Sequence, residues 1–231
     1  MNLGAQYQAD KAVLEFIEKV DSFYSDDFLL RNGRYFIDEF PRALGNPFYL
    51  TNQWTKGDFI LDNKVYRNFP LMYDIYRDNL VCIIKGVENE EIPIILNNDV
   101  VTSFSISGHY FIHAGQKKNL LSGGFYEEIY SGEAVKMYAK WSKKFMKVYT
   151  LEYSGEFNSQ KRTLFLVKNN SVFIIKDNKS LIEKFPEIKK QLKTYLKQNR
   201  IKLGKSSIPE LSGLTEFCNN SLSNNTSAPL K

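Results

Sequence analysis

Short apolar stretches recur from residue 54 to residue 175, and small groups of Asn, Asp or Gly interrupt them every few residues. Such punctuation leaves no room for long helices and favours a chain that folds back on itself. Asp62-Asn63 and Asp78-Asn79 tolerate the positive φ of tight hairpin turns, as does Asn169-Asn170. Asn97-Asn98-Asp99, Gly108 and Ser131-Gly132 mark the remaining reversals. The spacing predicts an antiparallel meander over residues 34–176, forming a barrel or a strongly curved sheet. Strand parity agrees. Val65, Phe69, Leu71, Tyr73 and Ile75 share one face, broken only by Arg67, and that face is assigned to the core. Seventeen Phe and fourteen Tyr suit a pleated, half-buried surface of this kind.

The period changes on both flanks. Val13, Leu14, Ile17 and Val20 recur at helical spacing, which predicts an amphipathic helix over residues 10–22. After Asp177, helical periodicity returns with Leu181, Ile182, Phe185, Ile188, Leu192, Tyr195 and Leu196. Pro209 then suits the first turn of a last helix bearing Leu211, Leu214 and Phe217. These residues predict two C-terminal helices within residues 179–218. Residues 219–231, rich in Asn and Ser, are expected to be disordered. The 231 residues fit one mainly β domain with one N-terminal and two C-terminal helices.

The formal charge of +5 is uneven. Residues 176–205 hold ten Lys or Arg against Asp177, Glu183 and Glu187, so a basic C-terminal segment joins a nearly neutral body. That pattern does not predict a nucleic-acid binder. The lysine face of Lys189, Lys190, Lys193 and Lys197 reads as solvated. Two cysteines, Cys82 and Cys218, allow one bridge but no disulfide framework. No stretch has the apolar length of a membrane helix, so no transmembrane segment is expected. Residues 1–6 look like the small-residue tail of a cleaved secretory signal, which predicts a periplasmic or secreted protein.

Chemistry is much less legible. No nucleotide loop, nucleophile elbow or metal-ligand spacing occurs, so no catalytic residue, metal or cofactor is expected. His109 and His113 lie about 13 Å apart if both are on one strand, too far for one mononuclear metal. Each reads as a solvated or hydrogen-bonded structural His. Glu127 and Glu128 face opposite ways on a strand and read as solvated surface acids. A carboxylate pair would have to come from distant residues such as Asp38, Asp74 or Glu152. Tyr138, Lys140, Lys143, Lys144 and Lys147 surround Trp141, a mixture of rings and cations suited to a polyanion or sugar. Tyr138, Lys140 and Trp141 are the expected contacts, with Tyr126 a further one.

Three stretches carry a resemblance. Pro47-Phe48-Tyr49-Leu50 runs on to Trp54 and Gly57; Asn68-Phe69-Pro70-Leu71-Met72-Tyr73-Asp74-Ile75 follows; residues 181–203 form the Lys-rich helix. Together they resemble a group of secreted or periplasmic β-rich proteins of Bacteroidota-type bacteria that has no established activity. The resemblance implies an envelope location and carries over no site residue. The resulting expectation is a non-catalytic protein that binds an envelope protein or glycan. The alternatives are a hydrolase of an envelope polymer, with His109 as an assisting residue, and a carrier of a lipid-like ligand.

Overall fold

The computed structural model describes residue 30 and residues 32–86, 89–116, 121–148, 150 and 152–226. The helix expected over residues 10–22 lies outside them. Among the described residues there are fourteen strands: β1 (Arg34–Tyr35), β2 (Ala43–Leu44), β3 (Thr55–Leu61), β4 (Lys64–Asp74), β5 (Asn79–Lys85), β6 (Glu91–Ile95), β7 (Val101–Ile106), β8 (His109–His113), β9 (Phe125–Ser131), β10 (Val135–Ser142), β11 (Phe145–Lys147), β12 (Gly155–Phe157), β13 (Lys161–Lys168) and β14 (Ser171–Ile175). Eleven of them form one antiparallel sheet in the order β1, β6, β5, β4, β3, β7, β8, β9, β10, β13, β14. A small second sheet has the order β11, β12, β2, with β2 parallel to β12.

The mainly β, antiparallel class is as expected, but the large sheet does not close into a barrel. Its order ends at β1 on one side and at β14 on the other. It is nevertheless strongly bent. Tyr73 on β4 and Phe125 on β9 are separated by three strands, which in a flat sheet would set them about 19 Å apart. Their ring centroids are 5.9 Å apart. Phe104 and Phe111 stack between them at 4.7 Å, and these rings fill the concave side together with Phe59, Leu71 and Leu80.

The punctuating residues do what their conformational freedom allows. Asp62 and Asn63, Ser107 and Gly108, and Asn169 and Asn170 each adopt consecutive positive φ values and close two-residue hairpins. Residues 97–99 behave differently. They were expected to close a hairpin, yet β7 leaves β6 and pairs with β3. Asn98 explains the departure, since its Nδ2 donates to the Asp78 carbonyl at 2.7 Å and anchors the loop to the β4–β5 turn.

Parity also fails at one point. A bulge sets Arg67 and Asn68 opposite Asp58, with Asn68 at φ 62° and its N–H on Asp58 Oδ1 at 2.8 Å. The extra residue exchanges the faces of β4. Tyr66 is therefore buried and Val65 is half exposed, while Phe69, Leu71 and Tyr73 keep the expected inward direction.

Three helices cover the same face at the far end of the sheet, where the register places Ala139 and Leu164 on the side of Glu127 and Phe111: α1 (Asn178–Glu183), α2 (Lys189–Gln198) and α3 (Ile208–Thr226). Two were expected. The first splits because Pro186 cannot continue the hydrogen-bond ladder of α1 and instead opens a 3-10 turn over Pro186–Ile188. Asp177 caps α1 through a reciprocal bond with Ser180. Leu181, Phe185, Ile188, Leu192 and Leu196 pack with Leu211, Leu214 and Cys218 onto Val135, Met137, Ala139 and Leu166 of the sheet. Helix α3 runs past residue 218, where composition predicts disorder. Asn219 Oδ1 accepts the N–H groups of Ala134 and Val135 at 3.0 and 3.2 Å, tying that turn of the helix to the β9–β10 connection.

Candidate functional site

The four residues singled out in the sequence do not form one exposed surface. Tyr126, Tyr138 and Lys140 share one face of the sheet, and Trp141 stands on the other, because adjacent strand residues alternate. Tyr126 and Tyr138 are buried, in a cluster with Ile112 and Leu121. Burial pushes the Tyr138 hydroxyl up to about 12. Lys140 lies 4.7 Å from the centre of the Tyr126 ring and pairs with Asp78 at 2.5 Å. These three side chains tie parts of the fold together.

Trp141 belongs to a different set of groups. Its indole N–H donates to Glu127 Oε2 at 2.7 Å, and the other oxygen of that carboxylate lies 2.5 Å from His109 Nδ1. Glu127 is only 1% exposed, which corrects its expected role as a solvated surface acid. Register explains the difference. Glu127 pairs with Phe111 across β8 and β9, so it faces inward and meets His109 two residues along. His109 is thus a hydrogen-bonded residue whose partner lies on the next strand. Tyr49 packs edge-on against His109 at 5.4 Å and lies tilted against Trp141 at 5.3 Å. Burial, and then the Glu127 charge, raise the Tyr49 hydroxyl far above its ordinary range, so it stays neutral.

Arg162 completes this set from β13, where it is the register partner of Trp141. Its guanidinium carbon lies 5.7 Å from the indole centre, and Nη2 donates to the carbonyls of Leu203 and Ser206 at 3.0 and 2.7 Å. Among the described residues no carboxylate forms an ion pair with it. Burial pulls its pKa down, and the charge of Glu127 holds it up. The result is a half-buried cation, fixed in direction and met by carbonyl dipoles.

Arg162, Lys161, Lys176, Lys205, Gln160 and Trp141 line an open groove of about 640 Å³ between the start of β13 and the loop after α2. Lys161, Lys176 and Lys205 are exposed, and no carboxylate lines the groove. Such a site suits an anion: Arg162 supplies a preorganised fork, and the lysines supply mobile point charges.

Other groups have structural roles. Lys143 Nζ donates to the carbonyls of Asn46 and Phe48 at 2.9 and 2.7 Å, pinning the segment before Tyr49. Cys82 and Cys218 are free and buried in separate parts of the core. No group of three or more His, Cys, Asp or Glu among the described residues is placed to hold a metal ion. No helix there is long and apolar enough to cross a membrane.

Compared with family models, curated proteins and solved structures, the chain matches none. Sequence reasoning selected Trp141 and missed Arg162, Glu127 and Tyr49. Only Arg162 had a usable signal, since Lys161-Arg162 opens the strand predicted to precede Asn169-Asn170.

Proposed function

We propose that the chain is a non-catalytic binding protein of the cell envelope that takes an anionic partner in the groove beside Trp141. The observation that supports this reading most is Arg162. A partly desolvated guanidinium held by two carbonyls feels the charge of Glu127 but has no carboxylate in direct contact among the described residues, and a ligand anion would supply that contact. Three further cations along the groove extend the attraction to a partner with several negative charges. The envelope location rests on the resemblance given above.

The test is binding to dextran sulfate, with neutral dextran as control. The wild-type protein should bind the sulfated polymer at low salt and lose it as salt rises. The double variant Lys161→Gln/Lys205→Gln should weaken binding about ten-fold, equivalent to about 1.4 kcal/mol. The quadruple Gln variant at Lys189, Lys190, Lys193 and Lys197 should bind as the wild type does. Loss in the quadruple variant with none in the double variant would reject the groove.

One observation favours a second reading, hydrolysis of an envelope polymer. A buried carboxylate holding one nitrogen of a partly exposed imidazole is the orienting half of a general-base arrangement. Turnover of an anionic polymer that disappears in a folded His109→Ala variant would favour this reading over simple binding.

A further inference from the structure

Leu50 stands beside this groove in a conformation that leucine avoids. The Thr51 N–H donates to the Tyr49 carbonyl at 2.7 Å, closing a three-residue turn around Leu50, whose φ is 57°. That is the rarer and more strained of the two γ-turn forms. An L-residue with a Cβ pays for left-handed backbone in steric repulsion, which Gly avoids and Asn tolerates. The leucine side chain does not recover the loss by packing, because Leu50 is 52% exposed.

The turn is nevertheless fixed on both sides. The Leu50 N–H donates to Gln160 Oε1 at 3.2 Å, and Gln160 itself lines the groove. Tyr49, the preceding residue, is buried against Trp141 and His109. The chain therefore holds a large apolar side chain out in water, in a strained turn, at the rim of a cationic groove. Backbone strain of this kind collects where a binding surface needs a particular side chain in a particular place.

We infer that the partner is an acidic polypeptide segment carrying a bulky apolar residue, with its carboxylates on Arg162 and the groove lysines and its apolar side chain on Leu50. A sulfated or carboxylated glycan would use the cations but would gain nothing from an exposed leucine. This inference rests on the groove being the binding site.

Three probes separate the possibilities: a short Asp/Glu-rich peptide with one central leucine, the same peptide with serine in that place, and dextran sulfate. Wild-type protein should prefer the leucine peptide to the serine peptide by about five-fold, the gain expected from partly burying one leucine pair. Leu50→Gly and Leu50→Asn should abolish that preference and leave dextran sulfate binding within about two-fold of the wild type. Both should also raise Tm, because each relieves the turn. Equal affinity for the two peptides, or a preference that survives both substitutions, overturns the inference while the groove reading stands. A fall in Tm in both variants would assign Leu50 a packing role and overturn it as well. Failure of the wild-type protein to bind any of the three probes would reject the groove first, and this inference with it.

Discussion

The Tyr73 hydroxyl donates to Asp78 Oδ1 at 2.6 Å, across the turn that joins β4 to β5. The second oxygen of the same carboxylate meets Lys140 of β10, and the Phe125 N–H of β9 approaches it at 3.3 Å. One carboxylate thus fastens the β4–β5 turn to strands far along the sheet order, which helps hold the sheet bent. Tyr73 is fully buried, and burial together with Asp78 raises its pKa, so the hydroxyl remains a donor.

Asp78→Ala leaves that buried hydroxyl without an acceptor. The expected loss is about 2–3 kcal/mol, measured as a lower urea midpoint with an unchanged slope. Lys140→Met removes a partly exposed ion pair and should lose less than about 1 kcal/mol. If the two losses are equal, the Tyr73 bond is not what holds the turn.

The bulge in β4 gives a second prediction. Asn68 occupies left-handed backbone, so Asn68→Val should lose about 1–2 kcal/mol, whereas Asn68→Gly should change stability little. Equal urea midpoints for the two variants would show that the bulge is absent in solution.

Stability should also depend on His113. Burial lowers its pKa and outweighs the opposing pull of Asp78 and Asp99, while Lys140 adds to the lowering. The unfolded chain therefore takes up the proton before the folded protein does, and this residue's contribution to stability falls as pH drops through about 6.5. Between about pH 7.5 and 5.5, His113→Phe should lose less stability than the wild type does. Parallel pH profiles for the two proteins would contradict the assignment.

The thiols should be inert in the folded protein. Burial pushes Cys82 and Cys218 each up to about 12, far from the thiolate form at neutral pH. A thiol reagent should detect neither cysteine under native conditions and both after denaturation. Rapid native labelling of either would show that its part of the core opens readily.

The fold was more legible than the site because its signals are local. Asp62-Asn63, Gly108 and Asn169-Asn170 each specify a turn through their own backbone freedom, and Leu181 to Leu196 specify a buried helical face through their spacing. Where the reading failed, distant partners had intervened. Asn98 is held by the Asp78 carbonyl, which converts an expected hairpin into a crossover. The Arg67–Asn68 bulge reversed the parity of β4 without leaving a periodic trace. Glu127 looked like a surface acid because neither His109 nor Trp141 is near it in sequence, although the register of β8, β9 and β10 brings all three together. Arg162 acquires its character from the carbonyls of Leu203 and Ser206, more than 40 residues later.

The most direct test of the anion-binding groove is an NMR titration of the folded protein with a short sulfated oligosaccharide, following backbone amides and the Trp141 indole N–H. The account predicts concerted shifts in residues 158–162 and 203–206 and at the Trp141 indole, all suppressed by salt. Shifts confined to the lysines of α2, or no shifts at low salt, would contradict it.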